Sequence, residues 1–203
     1  MPSSMTSAPV LGRRSLPFLG LALALVGCTD PGPAADAGAE GSPAEDLLRE
    51  AGLEGMDAAA IIDRLDAQAP AERPAELLAS VRTDVLLLSD AQGREASLPL
   101  PEDRVYISVA PYREGTHDCF FHSLTTCLGE LPDEPMQVSV RGADGASLID
   151  EERTTFANGF LGLWLPRGIE ATLSLVHAGG GARTELSTRS PEDPTCLTGL
   201  QLR

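Results

Sequence analysis

The chain has 203 residues, 15 of them basic and 30 acidic, for a formal net charge of −15, and 42% are hydrophobic. That length and apolar content suffice for one sizeable core or two small ones. The acidity disfavours nucleic acid and anionic membrane surfaces as partners, and no nucleic-acid partner is expected.

The N-terminus reads as an export signal. Arg13 and Arg14 supply positive charge, and Leu16 to Val26 is an apolar run, too short for a bilayer span of roughly 20 residues. The run closes on Leu25-Val26-Gly27-Cys28, the pattern of a lipobox. Residues 1–27 are therefore expected to be a lipoprotein signal peptide, with Cys28 the lipidated first residue of the mature chain. Thr29 after it, in place of an acidic residue, favours the outer membrane as the anchoring surface. Residues 28–43 are rich in Pro, Ala, Gly and Asp and lack large apolar side chains, which predicts a disordered tether.

Residues 44–83 read as a helical N-terminal region. Ser42 can cap a first helix that opens at Pro43, turns Leu47 and Leu48 inward and ends at Gly52. Asp57 can cap a second, with Ile61, Ile62 and Leu65 as its apolar stripe and Pro70 closing it. Pro74 to Ser80 is expected to add a third helical piece. From Val85 the pattern turns to strands: 85–89, 96–100 and 105–110, with Ala91-Gln92-Gly93 as a turn. Met136 to Arg141 alternates apolar with polar, and Ala143-Asp144-Gly145 turns it into Ser147 to Glu151. Segments 160–165, 172–177, 184–188 and 197–202 complete the set, with Gly179-Gly180-Gly181 at a hairpin tip. Residues 84–203 thus form a β-rich domain. The fold class is α+β, short N-terminal helices followed by an antiparallel, sandwich-like β region.

Cys119, Cys127 and Cys196 remain once Cys28 is set aside. Three cysteines in an oxidising compartment cannot all pair within one monomer. Either one thiol is spare, two chains are cross-linked, or all three are kept reduced for a purpose. His117, Cys119, His122 and Cys127 fall within eleven residues. If 117–121 is extended, His117 and Cys119 share a face. Cys119 and Cys127 span about 26 Å when extended, so sharing a metal requires a reversal, for which Ser123 to Thr126 are suitable. Cys196, after Pro191-Glu192-Asp193-Pro194, is placed to complete the site from the last strand. Thiolates select Cu(I), zinc or iron–sulfur clusters. Too few cysteines remain for a four-Cys cluster, no Met between Cys119 and Met136 offers a blue-copper axial ligand, and C-x7-C is not the usual zinc clip. Residue chemistry alone leaves a Cu(I) site, a zinc site and a structural disulfide with one spare thiol all open. Asp118 is a candidate to orient His117 or His122. Phe120, Phe121 and Trp164 read as core, and His177 as a surface or hairpin residue. With neither C-x-x-C nor a triad arrangement, no enzyme activity is expected.

The stretch Tyr106-Ile107-Ser108-Val109-Ala110-Pro111-Tyr112, continuing through His117-Asp118-Cys119-Phe120-Phe121-His122-Ser123-Leu124-Thr125-Thr126-Cys127 and Gly129-Glu130-Leu131, closely resembles the CueP family of periplasmic copper-binding proteins. So do Asn158-Gly159-Phe160, Leu163-Trp164-Leu165-Pro166-Arg167 and Thr195-Cys196-Leu197-Thr198, and upstream Ile61-Ile62-Asp63-Arg64-Leu65-Asp66 and Leu86-Leu87-Leu88-Ser89-Asp90. The likeness covers roughly Met56 to Arg203. It implies periplasmic copper binding by Cys119, Cys127 and Cys196, with help from His117 or His122, for copper tolerance, storage or delivery to a cuproenzyme. A homodimer is implied as well. Cu(I) is the expected bound form with Cu(II) as a reducible input, and a thiol-disulfide reductase is a further expected partner. Cys28 departs from a soluble family pattern and adds lipid anchoring.

The lipobox makes one prediction by itself. Mass spectrometry of the native N-terminus should find a diacylglyceryl cysteine at Cys28, and an unmodified terminus elsewhere overturns the anchor.

Overall fold

Ser42 and Glu45 cap one another, each side chain taking the other's backbone N–H at 3.3 and 2.7 Å, and Pro43 follows with its φ already suited to a helix. The result is α1, Pro43–Glu50. Asp57 takes the Ala60 N–H at 2.8 Å and starts α2, Ala58–Asp66. The structure, a computed structural model, describes residues 41–178 and 180–203. The expected signal peptide, Cys28 and all but the end of the tether lie outside the described residues. Among the described residues no helix is long and apolar enough to cross a membrane.

A short 3-10 turn, Pro70–Glu72, leads into β1, Leu77–Val81. Here the structure corrects the expected third helix. Leu77, Ala79 and Val81 are buried while Leu78 is exposed, a period of two that five residues can show only faintly. The antiparallel partner β2, Val85–Asp90, settles the choice, pairing Val81 with Leu86. The 83/84 boundary between helical and β regions therefore falls between two paired strands. With β3, Glu95–Pro99, the first sheet runs in order β1-β2-β3. Its inner face and the stripe of α2 (Ile61, Ile62, Leu65) share one core.

The remaining strands form two sheets. One has β4 (Arg104–Tyr112) between β7 (Leu161–Pro166) and β10 (Cys196–Gln201). The other runs β6-β5-β8-β9, with β5 Pro135–Gly142, β6 Ser147–Thr154, β8 Glu170–His177 and β9 Gly180–Ser187. Their facing sides share a second core that includes Val105, Ile107, Leu163, Val138, Val140 and Leu173. The β-rich expectation holds, but the sheets are not wholly antiparallel. β10 lies parallel to β4, matching Cys196 with Ser108. The chain from Tyr112 to Cys196 passes through both sheets before β10 returns beside β4, the crossing that a parallel neighbour needs and a hairpin cannot supply.

β4 is the spine. Val105, Ile107 and Val109 point into the core between the two sheets, while Tyr106 packs with the helices and Ala110 beside Cys127 and Cys196. Covered on both faces, it is buried from Val105 to Pro111.

The loop after Cys127 is held by contact between two backbones. Gly129 donates its N–H to the Asn158 carbonyl at 2.7 Å, and Gly159 has φ +82°. A Cβ on Gly129 would stand 2.4 Å from the Gly159 carbonyl oxygen. Gly129→Ala should therefore cost about 1–3 kcal/mol in chemical denaturation, the range of an overpacked site. An unchanged midpoint would show that the two loops part freely.

Candidate metal centre

The apolar stripe that seats α2 also decides where its last residue goes. Asp66 is four residues after Ile62, hence on the same face, and it is fully buried. A carboxylate there must be paired or it costs several kcal/mol. Its Oδ2 accepts from the Tyr106 hydroxyl at 2.6 Å and from Ser108 Oγ at 3.2 Å. Its Oδ1 accepts from Asn158 Nδ2 at 2.8 Å and from His122 Nε2 at 2.9 Å. Burial pushes its pKa up, but the His122 charge and the hydrogen bonds from His122, Tyr106 and Asn158 outweigh it and hold the carboxyl below its ordinary value. Tyr106 reaches Asp66 because its strand passes Gly162, where a Cβ would stand 1.9 Å from the Tyr106 oxygen.

The His117–Cys127 segment is pinned from two sides. The Val81 N–H donates to the His122 carbonyl at 2.8 Å and the Leu124 N–H to Ala79 at 2.9 Å, laying this segment beside β1. Thr195 and Cys196 both donate their N–H groups to the Phe120 carbonyl, at 3.0 and 3.1 Å. The chain then reverses as expected over Ser123 to Thr126, closed by Cys127 N–H to the Ser123 carbonyl at 3.1 Å. This brings Cys119 Sγ to 3.5 Å from Cys127 Sγ. β10 delivers Cys196, whose Sγ lies 3.7 Å from His122 Nδ1.

Two trios result. The ligating atoms of His117, Cys119 and Cys127 lie within 4.8 Å of one another, and so do those of His122, Cys127 and Cys196. All five residues proposed from the sequence are thus brought together, with Cys127 in both sets. The donors fit a soft metal. His117 Nε2 is buried with no hydrogen-bond partner among the described residues.

Burial lowers the His122 pKa, but the Asp66 charge and hydrogen bond, with Cys127 behind them, raise it to about 9. Cys127 is held far below an ordinary thiol by hydrogen bonds from Cys119 and Cys196 and by the His122 charge. Cys119 is pushed up to about 11 by its hydrogen bond to Cys127, and Cys196 is pushed up by both neighbours. In the metal-free cluster Cys127 is thus the sulfur favoured as thiolate, with Cys119, Cys196 and His122 around it. Arg73 adds a second cation. Its Nη1 donates to the Cys127 carbonyl at 2.8 Å, and its Nε and Nη2 are buried without partners among the described residues. Phe160, fully buried, closes the site with its ring 4.6 Å from that of His122.

Several sequence expectations change here. Asp118 is exposed, and the carboxylate that orients a histidine is Asp66. Phe120 is not core: it is 53% exposed beside the cluster, while Phe121 is half-buried under the Arg82 guanidinium at 4.0 Å. Trp164 does pack against the core with Tyr106, as expected, and it donates its Nε1–H to Asp63 at 2.8 Å. His177 is a hairpin residue as expected, opposite Gly180 and bonded to Arg113 and Glu134 at 2.9 and 3.0 Å. Asp66, Asn158 and Arg73 were not singled out, yet an acid on the apolar face of α2 was a signal available for the first.

Comparison with known proteins points one way. The family model for the periplasmic copper-binding protein CueP matches residues 60–201. A crystal structure of S.CueP is 40% identical, with a TM-score of 0.73 over 78% of this chain and 96% of that one. Curated protein sequences give no match.

The Asp66–His122 pair is testable in the reduced, metal-free protein. Asp66→Asn removes the charge that lifts His122, leaving burial less opposed, so the imidazole pKa should fall from about 9 in an NMR titration. An unchanged value would mean that Asp66 does not set the charge state of His122.

Proposed function

The chain belongs to the CueP family of periplasmic copper-binding proteins, and we propose that it holds copper as Cu(I) on Cys127 together with Cys119, Cys196, His117 and His122. The observation that carries this reading is the pair of sulfur-and-imidazole trios that share Cys127. Zinc in a structural site wants four ligands in a tetrahedron, whereas each trio offers three, a number that suits Cu(I) with soft sulfur donors. Asp66 supports the assignment as the carboxylate behind a ligating imidazole, keeping the proton on Nε2 and turning Nδ1 to the metal. Two thiolates, one neutral imidazole and Cu(I) sum to a single negative charge, which Arg73 is placed to offset.

The protein acts by binding rather than turnover, for copper tolerance, storage or delivery to a cuproenzyme. A lipid at Cys28 tethers it, and it pairs as a homodimer. Cu(II) is a reducible input: closing a disulfide between the Cys119 thiol and the Cys127 thiolate releases one proton and two electrons, and the two electrons reduce two Cu(II) ions to Cu(I). A thiol-disulfide reductase then restores the thiols.

Anaerobic competition against a chromophoric Cu(I) chelator tests the binding. The reduced protein should retain Cu(I), and Cys127→Ser should weaken binding by about 100-fold or more, the upper range for altering a metal's ligand environment. Cys119→Ser and Cys127→Ser both binding like the parent would refute the site. Zinc displacing Cu(I) at equal concentration would refute the choice of metal.

A further inference from the structure

The two trios differ in their access to solvent. His117 and Cys119 are half-buried, between exposed Thr116, Asp118 and Phe120. His122 is 0% exposed and Cys196 2%, under the ring of Phe160. Cys127, 9% exposed, belongs to both. The imidazoles differ in the same sense. His122 has Nε2 committed to Asp66 and is held in place, while His117 Nε2 has no partner among the described residues.

We infer that the cluster is a two-position relay, in which one Cu(I) enters and leaves on His117, Cys119 and Cys127 and rests on His122, Cys127 and Cys196. This deepens the Cu(I) reading and depends on it. The ion keeps its bond to Cys127 throughout. Bonds to Cys196 Sγ and His122 Nδ1 form as those to Cys119 Sγ and the His117 imidazole break. Cys196 gives up its thiol proton and Cys119 takes one up, while the imidazoles exchange as neutral ligands, so the charge of the cluster is unchanged and nothing is oxidised or reduced. Swinging about one retained sulfur avoids a bare ion in a low-dielectric interior, the costly alternative. The buried position supplies retention, and the half-exposed one supplies a handle that an incoming ligand can reach.

The relay predicts that rate and affinity separate by position. The full-length reduced protein, loaded with one Cu(I) per chain under anaerobic conditions, is mixed in a stopped flow with a Cu(I) chelator, and affinity is measured by equilibrium competition. Cys119→Ser and His117→Gln should slow transfer by about tenfold or more, a barrier increase of about 1.4 kcal/mol, with affinity nearly unchanged. Cys196→Ser and His122→Gln should lose affinity by about tenfold or more while transfer stays fast. Circular dichroism identifies any variant that fails to fold, and the second variant of each pair then carries the test. Equal losses of affinity in both groups with no selective slowing would overturn the relay and indicate a single site. Two Cu(I) ions held together with equal strength would overturn it as well. A parent protein that cannot hold Cu(I) against the chelator would instead defeat the copper reading and the relay with it.

Discussion

A carboxylate removed from water has to find its charge and its hydrogen bonds inside the protein, and much of this architecture is organised around how Asp66 does so. The helix that carries it is anchored by Ile61, Ile62 and Leu65. Its partners come from the spine strand (Tyr106 and Ser108), from the reversing loop (His122) and from the turn before β7 (Asn158). Those four donors join segments far apart in the chain. Asn158 extends the tie, because its Nδ2 also reaches the Asp66 carbonyl while its Oδ1 accepts the Phe160 N–H, each at 2.8 Å. The ring that closes the cysteine–histidine cluster is thus set by the same network that sets the imidazole.

The electrostatics of the cluster are local and run against the charge of the whole. A protein with formal charge −15 does not attract a further anionic group into its interior. Cys127 is nevertheless the preferred thiolate, because an imidazolium, two thiol donors and a guanidinium lie around it. Surface acidity acts through water and salt and is screened within about 8–10 Å. The buried cations act at contact, where that screening is weak.

What could be read in the sequence follows what is local in the structure. Capping by Ser42 and Asp57, the stripe of α2 and the alternation of Met136 to Arg141 are written in near neighbours, and all are present. β1 carries little local signal, because Leu77 to Val81 is short and rich in residues that also suit a helix. Its identity rests on pairing with β2 and on the His122 segment beside it. The parallel seat of β10 is likewise set by a crossing after β9, which no local pattern records. At the site, the C-x7-C spacing and nearby histidines were legible, and so was the reversal between them. Asp66 and Arg73 belong to the site only through tertiary contacts, 56 and 54 residues from their partners His122 and Cys127.

The parallel pairing of β10 with β4 has a consequence in time. Cys196 lies 69 residues beyond Cys127, and its strand is held by long-range pairing with β4. Until β10 docks, Asp66, His122, Cys119 and Cys127 can gather without the buried sulfur, so the enclosed trio of His122, Cys127 and Cys196 is complete only once that long-range pairing has formed.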